Sequence, residues 1–230
     1  MLACPDIVLF MKGKEIMQID WRTLSQAYAF LGNTLLKPMT MTSSVGLSSD
    51  FWNLFPRFDD TAINNACQDL SDYVGTLLAS QDEAHAIQVC SIEFTKLFVG
   101  PPSPSAPPWE TMYMADNVTV GFGQATFDMK QRLRDIGLEV SNENNQYADH
   151  LGIELLYLAQ LCSSSGQAKD ENIQLNPDRL TRLEEFIQKH PLSWIISFRD
   201  KIEQTYPDGY FVRICNLIYA LLVCNLKWFN

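Results

Sequence analysis

Two stretches of this 230-residue chain carry residue types that could do chemistry. The first is Asp149-His150-Leu151-Gly152, where a carboxylate and an imidazole are neighbours. Successive helical residues point about 100° apart, so these two do not make a catalytic pair with each other. Asp149 suits a guanidinium instead, since a planar carboxylate can accept two parallel hydrogen bonds, and His150 would set the shape or polarity of that pocket. A structural role competes with this one, with Asp149 as the N-cap and His150 in the first turn of the helix that follows. The second stretch is Glu93 to Tyr113, EFTKLFVGPPSPSAPPWETMY. Here a helix delivers Phe94, Leu97 and Phe98 to a stop at Gly100, and an extended proline chain then carries Pro108, Trp109 and Tyr113. Rings held beside a rigid proline wall form a groove for an apolar peptide at low entropic cost. The competing reading is a stiff linker whose aromatics pack on the core.

Several chemistries find no support. The sequence has no glycine-rich phosphate loop followed by Lys and Ser or Thr, no GxSxG elbow and no HExxH. Its histidines, at positions 85, 150 and 190, show no ligand spacing, and Glu184-Glu185 and Asp59-Asp60 read as helix-surface charges. The cysteines Cys4, Cys67, Cys90, Cys162, Cys215 and Cys224 never stand at CxxC spacing, which suits reduced, buried thiols. No cofactor or metal is expected.

A net charge of −10 argues against a nucleic-acid partner. From Phe58 to Met129 there are ten acids against Lys96 alone, a balance of −9, which leaves −1 for the rest of the chain. That asymmetry fits either solvated helix faces or a steering surface for a cationic partner.

The elements that must position these residues are helical. Asp20 caps a helix carrying Trp21, Leu24, Tyr28, Leu31 and Leu35. A polar loop over residues 37–49 and a short turn at 51–55 follow. Ile63, Cys67, Leu70, Val74 and Leu77 mark one helix face, and a further helix is predicted over 82–98. After the prolines come helices over 123–136, closed by Gly137, and over 149–162, which is apolar nearly all round and so a buried central helix. Asn176-Pro177 starts another, His190-Pro191 ends it and begins the next, and the last follows Pro207-Asp208-Gly209. The run 214–226 is too short to span a bilayer. The first residues show no secretory signal, so a cytoplasmic protein is expected. The fold expected is all-α, a single domain of eight or nine helices with no sheet, its two halves joined by a proline-rich hinge at residues 100–110, with residues 1–20 as an extension.

Three stretches in order resemble the TorD/DmsD (NarJ-like) family of molybdoenzyme maturation chaperones. They are Phe94 to Pro101 continuing through Ala106 to Tyr113; Gly121-Phe122-Gly123 with a helix and Gly137; and Asp149 to Gly152 with His190-Pro191-Leu192-Ser193-Trp194. The resemblance spans roughly residues 85–200. It implies an all-helical cytosolic protein, not an enzyme, that binds the twin-arginine leader peptide of a molybdenum oxidoreductase before Tat export. The positions matching Leu97, Phe98, Trp109, Gly123, Asp149 and His150 are those the family associates with leader binding. The chain departs from the family at Phe94 and Pro102, where Trp is frequent, and at Tyr147, where Pro is. Implied partners are the leader and mature part of a molybdoenzyme catalytic subunit and the Tat translocase, with the chaperone a monomer or a domain-swapped dimer and no stable membrane insertion. Two other functions compete: a helical enzyme acting on a nucleotide such as GTP through Asp149 and His150, and an adaptor gripping the mature client rather than its leader.

Overall fold

The structure is a computed structural model that describes residues 7–12, 15–115, 118–140, 146–163 and 177–229. The helical body begins with α1 (Trp21–Leu36), where the Asp20 carboxylate accepts from Thr23 N at 2.9 Å. Two single 3-10 turns, Met39–Met41 and Val45–Leu47, occupy the polar loop and lead into α2 (Ser49–Leu54). Asp60 caps α3 (Thr61–Ser80) by accepting from Ala62 N and Ile63 N, and Asp82 caps α4 (Glu83–Phe94) by accepting from His85 N. Each cap satisfies amides that have no partner within the helix.

The single helix expected over 82–98 divides. At Thr95 the chain widens into a π turn, Thr95–Val99, closed by Gly100 N donating to Thr95 O at 2.8 Å. Gly100 has φ +97°, and a Cβ there would meet the Ser103 backbone at 2.8 Å, so only glycine makes this reversal. The proline segment returns along the π turn: Ser105 N and Ala106 N donate to Lys96 O and Leu97 O, and Ala106 is buried.

The second half holds α5 (Gln124–Asp135), α6 (Leu151–Ser163), α7 (Pro177–Lys189), α8 (Pro191–Thr205) and α9 (Tyr210–Phe229). The Asn176 cap expected for α7 lies outside the described residues. Packing crosses the proline segment in both directions, α1 lying along α6 and α3 along α9, so the two halves share one core. The α1–α6 contact is close because Gly32 faces Gly152: a Cβ on either would stand 2.7 Å from the other's carbonyl oxygen. The buried Glu93 carboxylate caps α9 by accepting from Tyr210 N at 3.0 Å and Phe211 N at 2.9 Å.

The body is all-α, as expected, with two differences in detail. A two-stranded antiparallel hairpin, β1 (Ile7–Lys12) paired with β2 (Glu15–Asp20), precedes it, where no sheet was expected. Its two runs lack strict polar–apolar alternation, and the two-residue Gly13-Lys14 spacer was the sequence signal for it. The apolar run 214–226 belongs to the longer α9, whose residues 210–228 match a membrane span in length and hydropathy. Here that helix is core: Tyr210, Phe211, Ile214, Leu217, Ile218 and Leu221 are buried within the protein.

Candidate functional site

The proline segment delivers Trp109 to the mouth of α6, where Trp109 and His150 form an isolated antiparallel bridge. Glu110 N donates to Asp149 O and Leu151 N to Pro108 O, both at 2.9 Å. Beneath this bridge Asp149 is fully buried, and its carboxylate accepts three hydrogen bonds. Thr111 gives two, from N at 3.0 Å and Oγ1 at 2.6 Å, and Thr126 Oγ1 gives the third at 2.9 Å. Thr126 Oγ1 in turn accepts from Gly123 N at 3.2 Å. A Cβ on Gly123 would stand 2.6 Å from Thr111 Cγ2, so glycine there lets Thr111 close on the carboxylate.

His150, not Asp149, caps α6. Its carbonyl accepts from Ile153 N and Glu154 N, and its Nδ1 accepts from Gly152 N at 2.9 Å. An accepting Nδ1 places the ring proton on Nε2 in a neutral imidazole. Burial lowers this imidazole to about 3, so the group is uncharged at neutral pH.

Outside the bridge, rings gather at the surface. Trp109 is half-buried, donates from Nε1 to Gln146 Oε1 at 3.1 Å and meets the Tyr147 ring at 5.4 Å. Tyr147 meets Phe122 at 5.6 Å, and Phe122 meets Phe127 at 4.9 Å. Phe122 is 40% exposed and Phe127 53%. Phe122 and Tyr147 also line a hollow of about 570 Å³ with Lys130, Leu133 and Arg134. A second hollow of about 280 Å³, sharing Leu133, Leu138, Val140 and Gln146 with the first, continues between α5, α1 and α6 past Leu36, Ile153 and Tyr157. Together they make a trough beside the bridge, where Lys130, Arg134, Glu139 and Gln146 stand among the rings in the first part and the walls of the second are mainly aliphatic.

Of the residues singled out from the sequence, Phe94, Leu97, Phe98, Pro108, Asp149 and His150 are buried. Phe94 and Phe98 pack against Phe211, so they belong to the core. Tyr113 stacks on Trp194 at 5.1 Å beneath Lys201 and donates to Pro107 O, holding the segment after the prolines against α8. Trp109, Tyr113 and Gly123 are partly accessible. Thr111, Thr126, Phe122, Phe127 and Tyr147 were not singled out as site residues, because their places depend on partners well separated along the chain. The acid surplus is also reshaped. Glu93 and Glu110 are buried, Asp60 pairs with Lys227 and Asp69 with Arg213, while Asp59, Asp72, Asp82, Glu83 and Asp128 face solvent.

A family model described as nitrate reductase delta subunit matches residues 58–200, more than half of the chain, with the bridge, the Asp149 network and the first hollow inside it. The chain belongs to that family. Within the delta-subunit family it stands with the TorD/DmsD maturation chaperones. It is 24% identical over 168 residues to the chaperone protein TorD of Vibrio parahaemolyticus, covering 73% of this chain and 74% of that one. The TorD of Aliivibrio fischeri is 28% identical over 166 residues, covering 70% and 75%. The Tat proofreading chaperone DmsD of Salmonella typhimurium is 26% identical over 123 residues, covering 54% and 53%. A solved protein from Archaeoglobus fulgidus, assigned to redox enzyme maturation, covers 85% of this chain and 96% of its own at 16% identity and a TM-score of 0.35, an overlay too loose to carry an argument. These relatives are chaperones by name, not enzymes, and in this delta-subunit family member the Asp149 carboxylate is held by two hydroxyls and an amide while His150 caps a helix.

Proposed function

We propose that this chain acts in the cytoplasm as the dedicated chaperone of a molybdenum oxidoreductase, binding its twin-arginine leader peptide before Tat export. The observation that carries this reading is the aromatic ladder Trp109–Tyr147–Phe122–Phe127, exposed at its Phe122 and Phe127 end, with the trough beside it. Aromatic rings bordering a trough whose deeper part has aliphatic walls suit the greasy stretch of such a leader. The exposed acids of the middle third raise the encounter rate of its two guanidinium groups without having to touch them, a long-range effect that salt screens. On this reading Trp109 contacts the peptide, with Tyr113 and Gly123 at the margin. Phe94, Leu97, Phe98, Pro108, Asp149 and His150 serve from behind by fixing the bridge. Two further details belong to the proposal: the mature client as a second partner, and residues 100–110 as a hinge.

Titrating fluorescently labelled leader peptides of the organism's own molybdoenzymes into the purified chain, followed by anisotropy, tests the proposal. Saturable binding to one of them, weakened when its apolar stretch is made polar, is expected. Indifference to every arginine-pair leader would overturn it.

A further inference from the structure

Glu110, Glu154 and His190 meet inside the second half of the chain, and neither the trough nor the bridge uses their side chains. Glu110 opens the 3-10 turn Glu110–Tyr113, Glu154 lies in the first turn of α6, and His190 stands at the head of α8. All three are buried. Each offers one ligand atom, and these atoms lie within 4.8 Å of one another. His190 Nδ1 stands 2.9 Å from Glu110 Oε2, with the ring stacked on Phe186 at 4.8 Å.

Charge argues that a cation belongs here. Glu110, Glu154 and Asp149 put three carboxyl groups into one buried region, and Glu154 feels both of the others. Among the ion pairs of the described residues, the partner supplied to them is His190, with no Lys or Arg. An uncompensated buried charge costs several kcal/mol, on the order of the stability of a whole domain. Glu154 is the most telling of the three. It is fully buried, and neither carboxylate oxygen has a hydrogen-bond donor in bonding geometry. The Trp194 indole and the Glu110 carboxyl stand close enough to perturb it without completing such a bond.

We propose that Glu110, Glu154 and His190 bind one first-row divalent metal ion. One imidazole nitrogen and two carboxylate oxygens suit tetrahedral Zn2+ better than Mn2+ or Ca2+, which prefer six or more mainly oxygen ligands. Ligands about 2.0–2.2 Å from a tetrahedral ion stand roughly 3.4 Å apart, so adjustments of about an ångström would close the set. The ion would join the segment after the prolines to α6 and α8, locking Glu110 and with it the neighbouring Trp109. Sequence spacing hides such a site, because residues 110 and 190 are 80 positions apart.

The test uses the full chain without a histidine tag. One sample is purified without chelator and assayed for metal, then stripped and titrated with Zn2+ and Co2+. A second is refolded from urea with Zn2+ present, so that burial cannot keep the ion out. The expected result is one equivalent of Zn2+ per chain and the intense visible spectrum of tetrahedral Co2+. Both should be lost in Glu154→Gln and His190→Ala, with affinity falling by more than the ~10–100-fold that loss of an outer-shell partner costs. Failure to retain metal by either route overturns the proposal and leaves a shared proton to neutralise the cluster. An octahedral, water-like Co2+ spectrum in the parent overturns it too, and that readout stands even if a variant fails to fold.

Discussion

Trp109 and His150 face each other across a single antiparallel bridge, yet one side chain reaches toward solvent and the other is sealed in the core. The backbone between Pro108 and Thr111 therefore works as a clamp. Its outer side presents an indole, and its inner side organises a carboxylate and a helix cap.

Asp149→Ala should act first on stability. The substitution strands three donors, from Thr111 N, Thr111 Oγ1 and Thr126 Oγ1, in a buried place. At about 1–3 kcal/mol for each unsatisfied buried donor, a loss of about 3 kcal/mol or more is expected, read from the urea midpoint at constant slope. An unchanged midpoint with abolished leader binding would mean that Asp149 contacts the peptide directly.

Trp109→Ala and Phe127→Ser should behave in the opposite sense. Phe127 is 53% exposed, so removing its ring should shift the midpoint little. Leader affinity should fall by about 1–3 kcal/mol for each substitution, measured by calorimetry. Wild-type affinity in Phe127→Ser would remove the outer end of the aromatic ladder from the binding surface.

Gly152→Ala weighs two effects of known size. Alanine in a helix is favoured over glycine by about 0.8–1.0 kcal/mol. The added Cβ, however, would stand 2.7 Å from Gly32 O and 2.8 Å from Leu36 Cγ, and the first of these is backbone that moves only if α1 moves. Overpacking of this kind costs about 1–3 kcal/mol, so a net destabilisation of up to about 2 kcal/mol is expected. Thermal unfolding checks the sign, and a stabilised variant would show that α1 and α6 can separate freely.

Acid sensitivity should track His150. Burial holds its folded-state imidazole at about 3, below the ordinary value of 6.5. The unfolded chain therefore binds the extra proton, so this contribution to stability is complete above 6.5 and is lost as pH falls toward 3. His150→Asn keeps an N-cap acceptor and removes the titration. Between pH 7 and pH 4.5 the parent should lose about 2–3 kcal/mol more than this variant, measured by urea unfolding at each pH. Parallel pH profiles would show that His150 protonates within the fold.

Much of the helical framework was legible in the sequence because its causes are local. Asp20 sits where apolar periodicity begins and caps α1 as expected, whereas Asp60, expected to be a helix-surface charge, caps α3. Gly100 and the apolar girth of residues 149–162 likewise announced a stop and a buried helix. The hairpin β1–β2 escapes a local reading because its runs are short and do not alternate. The apolar run 214–226 is only part of α9, in which Asn225 donates to the Tyr28 hydroxyl at 2.9 Å inside the core.

The sequence by itself determined the helices, the acidic middle third and the importance of the stretches around Trp109 and Asp149, since capping, periodicity and charge act over a few residues. Only the tertiary structure decided which side of the clamp each group occupies. Trp109 joins Phe122, Phe127 and Tyr147 at the surface, while Asp149 is enclosed by Thr111 and Thr126 and Glu154 is left beside Glu110 and His190. The physical reason is that exposure and hydrogen-bond saturation depend on partners up to 80 residues away, and no local pattern encodes such a distance.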